Sequence, residues 1–327
     1  MVNMWRRILT AVGIPAVLAG AAAGAVAADY PVRPIRVVVP FPAGGNADIL
    51  ARIMAQKMAA SWRQNVIVDN RAGAAGIIGA EAVAKSAPDG YTLLMGTTGT
   101  QTTNPAVYAR LPYNSLRDFA PVGNFAESPY MLVAHPSLPV RTVKDLVALA
   151  KARPGQLHYA SFGAGSSAHL VGEMFRGAAR IDIVHVPYKG GPPALADLLG
   201  GHVEMMFNLL PAVGPLIKSG RLRGIAVAAP KRAPSVPGVL TFAEAGFSHF
   251  EAGSWYGVLA PGGTPKEIVA KLSAEISRIV SLPDVRQRLA VEGADPIGNT
   301  PEQFADQIRR DLALWAKIAR EANVRVN

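Results

Sequence analysis

The sequence predicts an α/β chain of two lobes, each built on a doubly wound, mostly parallel sheet, with a cleft between them. Two stretches of one design carry this reading. The first is Pro40-Phe41-Pro42-Ala43-Gly44-Gly45-Asn46-Ala47-Asp48. A β-branched run, Ile35 to Val39, precedes it and reads as a buried strand. Ile49, Leu50, Ile53, Met54 and Met58 follow at helical spacing. The second is Ser161-Phe162-Gly163-Ala164-Gly165-Ser166-Ser167-Ala168-His169, between the strand Leu157 to Ala160 and the helical stripe Leu170, Val171, Met174 and Phe175. The third observation is alternation: strand and helix patterns succeed one another along most of the chain, which argues for parallel sheets.

Both turns suit an anion. Glycine permits positive φ and leaves no side chain over the backbone. Asn46 is placed to cap the first helix, and Asp48 in its first turn suits the positive end of the dipole. A bare strand-to-helix turn aims unpaired N–H groups at whatever lies above it. Thr97, Thr98 and Asn208 fall at or near further strand ends, where ligands of wound sheets sit.

Residues 1–28 stand apart. Arg6 and Arg7 precede an apolar run from Ile8 to Val26, and Ala25-Val26-Ala27 or Val26-Ala27-Ala28 fits a signal-peptidase site. The chain therefore reads as exported, to a bacterial periplasm. It contains no cysteine, so neither disulfides nor a lipid anchor on cysteine are available. The formal charge is +10, and +8 without Arg6 and Arg7, with 31 Lys and Arg against 23 Asp and Glu. These charges are dispersed, so no nucleic-acid partner is expected, although a basic surface favours capture of anions.

From Asp29 onward, Val66 to Val68 and Tyr91 to Met95 read as strands, and Ile77 to Lys85 as a helix. Residues 101–127, rich in Pro, Asn and Thr, read as a surface connection to the second lobe. Residues 128–250 hold a second alternating series, with Thr142 and Asp145 opening a helix as a capping box. Gly253 to Ala260 reads as the strand returning to the first lobe. Two helices then follow, opened by Thr264-Pro265-Lys266-Glu267 and Thr300-Pro301-Glu302-Gln303. Two crossings make a hinge. The lobes are expected at 29–127 with 252–327, and at 128–251.

Competing chemistries find little support. Gly163-x-Gly165-x-x-Ala168 has the outline of a dinucleotide fingerprint, but Asp182, at the required spacing, begins its strand instead of ending it. His135, His158, His169, His185, His202 and His249 form no H-x-x-x-H pair, so no metal is expected. Ser166 or Ser167 beside His169 lacks the third member of a triad, and G-x-S-x-G is absent. His169 fits a role in shaping its loop. Trp255 and Tyr256 fit a cleft floor or ordinary core packing. Two facing N–H cradles without an acid–base pair describe binding without turnover and without a cofactor.

The chain resembles the substrate-binding proteins of tripartite tricarboxylate transporters, the Bordetella uptake gene (Bug, TctC-like) family. The matching motifs are Val39 to Gly45 with Asp48, Ala51 and Arg52; Asn70 to Gly76; Pro88 to Leu93; Ser161 to Leu170; and Val186 to Gly190. Glu244-Ala245-Gly246 and Trp255 with Pro261 to Pro265 complete them. The resemblance implies a two-lobed periplasmic binding protein of the Venus-flytrap kind, not an enzyme. It implies that positions 41–46 and 161–167 pinch a small carboxylate: a di- or tricarboxylate, an aromatic acid or an acidic amino acid. The candidate ligand contacts are thus Phe41, Ala43, Gly44, Gly45, Asn46, Thr97, Thr98, Ser161, Gly163, Ala164, Gly165, Ser166, Ser167, His169 and Asn208. The implied partner is a membrane permease of that transporter type, served by a monomer. A periplasmic ligand sensor and a periplasmic hydrolase are the alternatives.

Overall fold

The computed structural model describes residues 30–326. The proposed signal peptide lies outside them. The N-terminal strands are β1 (Ile35–Val39), β2 (Val66–Asn70) and β3 (Thr92–Thr97), separated by α1 (Asn46–Trp62) and α2 (Ile77–Ala84). After a short α3 (Asn104–Val107) comes β4 (Phe119–Ala134), which is 16 residues long. Then follow α4 (Val143–Ala152), β5 (His158–Ser161), α5 (Ser167–Ala179), β6 (Val184–Pro187), α6 (Gly191–Leu199), β7 (Met205–Leu209), α7 (Leu210–Lys218) and β8 (Arg223–Val227). The chain ends with β9 (Gly253–Pro261), α8 (Lys266–Ser281), α9 (Pro283–Val291), β10 (Asp295–Pro296) and α10 (Pro301–Glu321).

The strand β4 organises the molecule. Its first part, Phe119 to Pro129, runs antiparallel to β9 in a sheet ordered β2-β1-β3-β9-β4. Its last part, Tyr130 to Ala134, pairs instead with β7 and β8, in a second sheet that continues through β5 to β6. The pairs β1–β2, β1–β3, β5–β6 and β5–β7 are parallel, as helical crossovers require. The β9 side changes sheets at the same level: Ala252 accepts from the Tyr130 N–H and donates to the Ala228 carbonyl, while Gly253 onward pairs in the first sheet. Each sheet is covered on both faces. Leu50, Met54 and Met58 of α1 and Phe304 and Ile308 of α10 belong to the first, Leu170, Val171 and Phe175 of α5 and Leu198 of α6 to the second, all buried.

The expected surface connection at 101–127 is not one. Gly99–Thr103 forms a π-type turn, Thr100 to Asn104 are buried, and β4 begins at Phe119. The polar composition misleads because hydrogen bonds to main chain, near and far, satisfy it: Thr102 Oγ1 donates to the Thr98 carbonyl at 2.7 Å, and Asn104 Nδ2 to the distant Ala75 carbonyl at 3.0 Å. The Thr264 capping box also fails to form. Pro265 takes the cap position, and Thr264 Oγ1 donates to the Pro261 carbonyl at 2.8 Å. The boxes at Thr142 with Asp145 and Thr300 with Gln303 do form. Three C-terminal helices are present where the sequence reading gave two.

Candidate ligand-binding cleft

The first turn is braced from below. Asp48 is 2% exposed. Its Oδ2 accepts from the Gly44 N–H at 2.8 Å and from Arg52 Nε at 2.9 Å, and its Oδ1 accepts from Asn70 Nδ2 at 3.0 Å. Asn70 Nδ2 also donates to the Phe41 carbonyl at 3.1 Å. Burial pushes the Asp48 carboxyl up, but the Arg52, Gly44 and Asn70 hydrogen bonds outweigh it and hold it below its usual value. Asp48 is therefore ionised, and Arg52 balances its charge.

This bracing alters the cradle read from the sequence. The Gly44 N–H is turned inward to Asp48. Gly44 has φ +79° and needs glycine, whereas Gly45 has φ −80° and does not. The helix cap is Gly45, not Asn46, and no side chain caps α1. Asn46 and Ala47 thus begin a helix whose first N–H groups lack an acceptor four residues back.

The second turn is braced by rings. Gly163 and Gly165 have φ +134° and +74°. Ser161 Oγ accepts from the Gly163 N–H at 3.1 Å and lies 2.6 Å from His185 Nε2. His169 Nδ1 accepts from the Gly165 N–H at 3.0 Å, so the ring is a neutral acceptor with its proton on Nε2. The His169 and His185 rings stack at 3.7 Å with planes 6° apart, and Tyr159 lies 5.0 Å from His185. Burial holds both imidazoles below their ordinary value, His185 at about 3, where its neighbour His169 adds to the effect. Two stacked imidazoles stay together only if uncharged. Ser166 caps α5 by accepting the His169 N–H at 3.3 Å, which leaves the N–H groups of Ser167 and Ala168 at the helix start, with Ala164 exposed at the tip.

The two helix starts lie by neighbouring tyrosines of the crossing strands, Asn46 beside Tyr256 and Ser167 beside Tyr130, and the two phenols are close enough to interact. Thr103 and Ser167 join across the gap, Oγ1 to Oγ 3.2 Å. Gly165 packs so closely on Val107 and Val326 that a Cβ there would lie 3.0 and 2.6 Å from their Cγ2 atoms. Thr97 and Thr98 are buried at the end of β3 with their hydroxyls engaged: Thr97 Oγ1 accepts from the Thr100 N–H at 3.3 Å, and Thr98 Oγ1 from the Trp255 N–H at 3.1 Å. Asn208 sits on the face of β7 shared with Met131, its Oδ1 accepting from the Leu209 N–H at 2.8 Å and its Nδ2 directed at Met206 Sδ at 3.7 Å.

Trp255 and Tyr256, adjacent on β9, are both buried and point to opposite faces of the sheet. Trp255 packs edge-on against Phe304, ring centroids 4.9 Å apart, and donates Nε1–H to Asp311 at 2.8 Å. Tyr256 points the other way, with Asn46 and Ser254 as neighbours. The sequence reading missed Asn70 and His185 as braces. Each is a polar residue in a strand followed by a Pro/Gly-rich turn, and that pattern is their only signal. Among the described residues no cluster of three or more His, Asp or Glu is arranged to hold a metal.

Two sheets joined at a double crossing, with two helix starts beside the crossing strands, define a periplasmic binding protein. Residues 50–324 match the model of the tripartite tricarboxylate transporter family receptor, and the chain belongs to this family. It is 39% identical over 321 residues to Protein BugT of Bordetella pertussis, covering 98% of each. It superposes with a TM-score of 0.85 on R. palustris Rpa4515 with adipate, at 38% identity over 90% of this chain and 99% of the other. With MatC of Rhodopseudomonas palustris with bound malate the TM-score is 0.80 at 34% identity, over 88% and 99%. The chain is thus a transporter receptor, a binding protein and not an enzyme.

Proposed function

We propose that this protein captures a small carboxylate between its two turns, closes on it and hands it to the membrane subunits of a tripartite tricarboxylate-type transporter. The observation that carries the reading is the pair of helix starts, Asn46–Ala47 and Ser167–Ala168, each lacking intrahelical acceptors and each braced so that its turn cannot collapse. The carboxylates held by Rpa4515 and MatC support it. The lobes are 29–127 with 252–327 and 128–251, and the change of partner between Pro129 and Tyr130 in β4 supports that boundary.

Thermal denaturation with a panel of organic acids tests the reading. Adipate, malate, citrate, aspartate and benzoate are screened against neutral sugars. Binding to the folded state at 100 times Kd adds about 2.7 kcal/mol. At least one acid is expected to raise the melting temperature and no sugar to do so. A shift with sugars alone overturns the carboxylate reading.

A further inference from the structure

The two strands that cross between the sheets carry a row of hydroxyls on one face. Ser128 lies opposite Ser254 in the β4–β9 ladder, and Tyr130 and Tyr256 follow two residues along their own strands. Side chains alternate along a strand, so these four share a face, opposite to that of Trp255. All four are buried, Ser128 to 1% and Tyr130 and Tyr256 to 2% and 3% exposure. The Ser128 hydroxyl has no hydrogen-bond partner. A buried hydroxyl without a partner is costly, which marks the place as one built for something more.

The two phenols are set under the two turns. Tyr130 has the Ser167 side chain beside it, at the start of α5. Tyr256 has the Asn46 side chain beside it, at the start of α1. The phenols are also close enough to each other to interact. Burial pushes both above the ordinary tyrosine range, so both remain protonated donors at neutral pH. Asn46, Ser128, Tyr130, Ser167, Ser254 and Tyr256 include no cation, so whatever anion enters meets neutral donors here.

We infer that Tyr130 and Tyr256, with Ser128 behind them, form the floor of the carboxylate site and donate their hydroxyls to the ligand, directly or through ordered water. This rests on the carboxylate reading above. It places donors on the crossing strands themselves, so a bound carboxylate ties together both helix starts and both hinge strands. A ligand that reached only the turns would bridge the lobes without touching the strands that join them. A ligand that also reaches the floor favours the closed arrangement.

Tyr130→Phe and Tyr256→Phe remove one oxygen each and keep the ring. Isothermal titration with adipate, or malate where adipate gives no heat, reads the outcome. Each variant is expected to bind about 10- to 100-fold more weakly than wild type, the size of a lost charge-assisted hydrogen bond. Circular dichroism checks the fold. Ser128→Ala, which deletes only the partnerless oxygen, reads the same floor should a phenylalanine variant not fold, with a loss of at least threefold expected. Tyr91→Phe, remote from the cleft, is the control. If wild type binds and the folded floor variants bind within twofold of it, the floor is structural and the inference is overturned while the carboxylate reading stands. Should adipate and malate both fail, the panel acid with the largest thermal shift takes their place; if no acid of the panel binds wild type, the carboxylate reading falls and takes the inference with it.

Discussion

Three glycines of the turns look alike in sequence and differ in physics. At Gly165, φ is +74° and a Cβ would lie 2.6 Å from Val326 Cγ2, so a side chain meets strained backbone and a filled space at once. At Gly44, φ is +79° but the space is open. At Gly45, φ is −80° and a Cβ would lie at an ordinary 3.4 Å from the Pro42 carbonyl. Left-handed backbone costs a non-glycine residue about 1–2 kcal/mol. Gly165→Val is expected to lower stability by more than that, and Gly44→Val by about that much. Gly45→Val is expected to leave the melting temperature nearly unchanged while weakening ligand binding at least tenfold, because its bulk stands where the ligand approaches. Denaturant melts and titration calorimetry on the three variants separate these effects. Unchanged affinity in Gly45→Val would show that ligands do not approach that backbone.

At the scale of the element, helix α10 ties the C-terminal segment to the crossing strands. Its stripe of Phe304, Ile308, Trp315 and Ile318 is buried. Asp311 lies on the same helix and accepts from Trp255 on β9. Burial raises the Asp311 carboxyl to about 6, and Glu127 on β4 adds to this. A carboxyl whose folded pKa lies above its unfolded value of about 3.9 holds its proton longer in the folded state. Its contribution is therefore fully present at low pH and is lost as pH rises from about 4 to about 6. Asp311→Asn keeps an oxygen for Trp255 and carries no charge. It is expected to raise the melting temperature at pH 7 by about 1–3 °C and to flatten its pH dependence between 4 and 6. Calorimetric scans at pH 4, 5, 6 and 7 give the answer, and a lower melting temperature at pH 7 would contradict it.

Elements also show where sequence patterns suffice and where they do not. The boxes at Thr142 and Thr300 form as read, because a cap needs only residues three apart. Thr264 failed for an equally local reason, proline occupying the cap. The buried segment Thr100 to Asn104 could not be read, because its threonines and asparagine satisfy themselves against backbone that folding brings near.

At the scale of the molecule, β4 runs through both sheets, and Ala252 joins the second sheet just before β9 enters the first. Thr103 to Ser167 and Gly165 to Val107 are contacts of a closed arrangement. If the lobes open as proposed, these contacts break, and bending is expected at Ser128–Tyr130 and Ala252–Gly253, where partners change. In small-angle scattering a bound acid is expected to reduce the radius of gyration. Scattering that is identical with and without a saturating acid would remove the hinge from the account.

The sequence by itself determined the alternation of strand and helix, the two glycine turns and the absence of a catalytic or metal-binding pattern. Each rests on residues within about ten positions of one another, where periodicity and turn chemistry act directly. The tertiary structure alone decided which N–H groups are free. Asn70 and Asp48 claim the Gly44 turn from 22 residues apart, and His185 stacks on His169 from another strand. It alone placed Ser128, Tyr130, Ser254 and Tyr256 on one face, because strand register across more than 120 residues is set by the packing of whole sheets and is written in no local pattern.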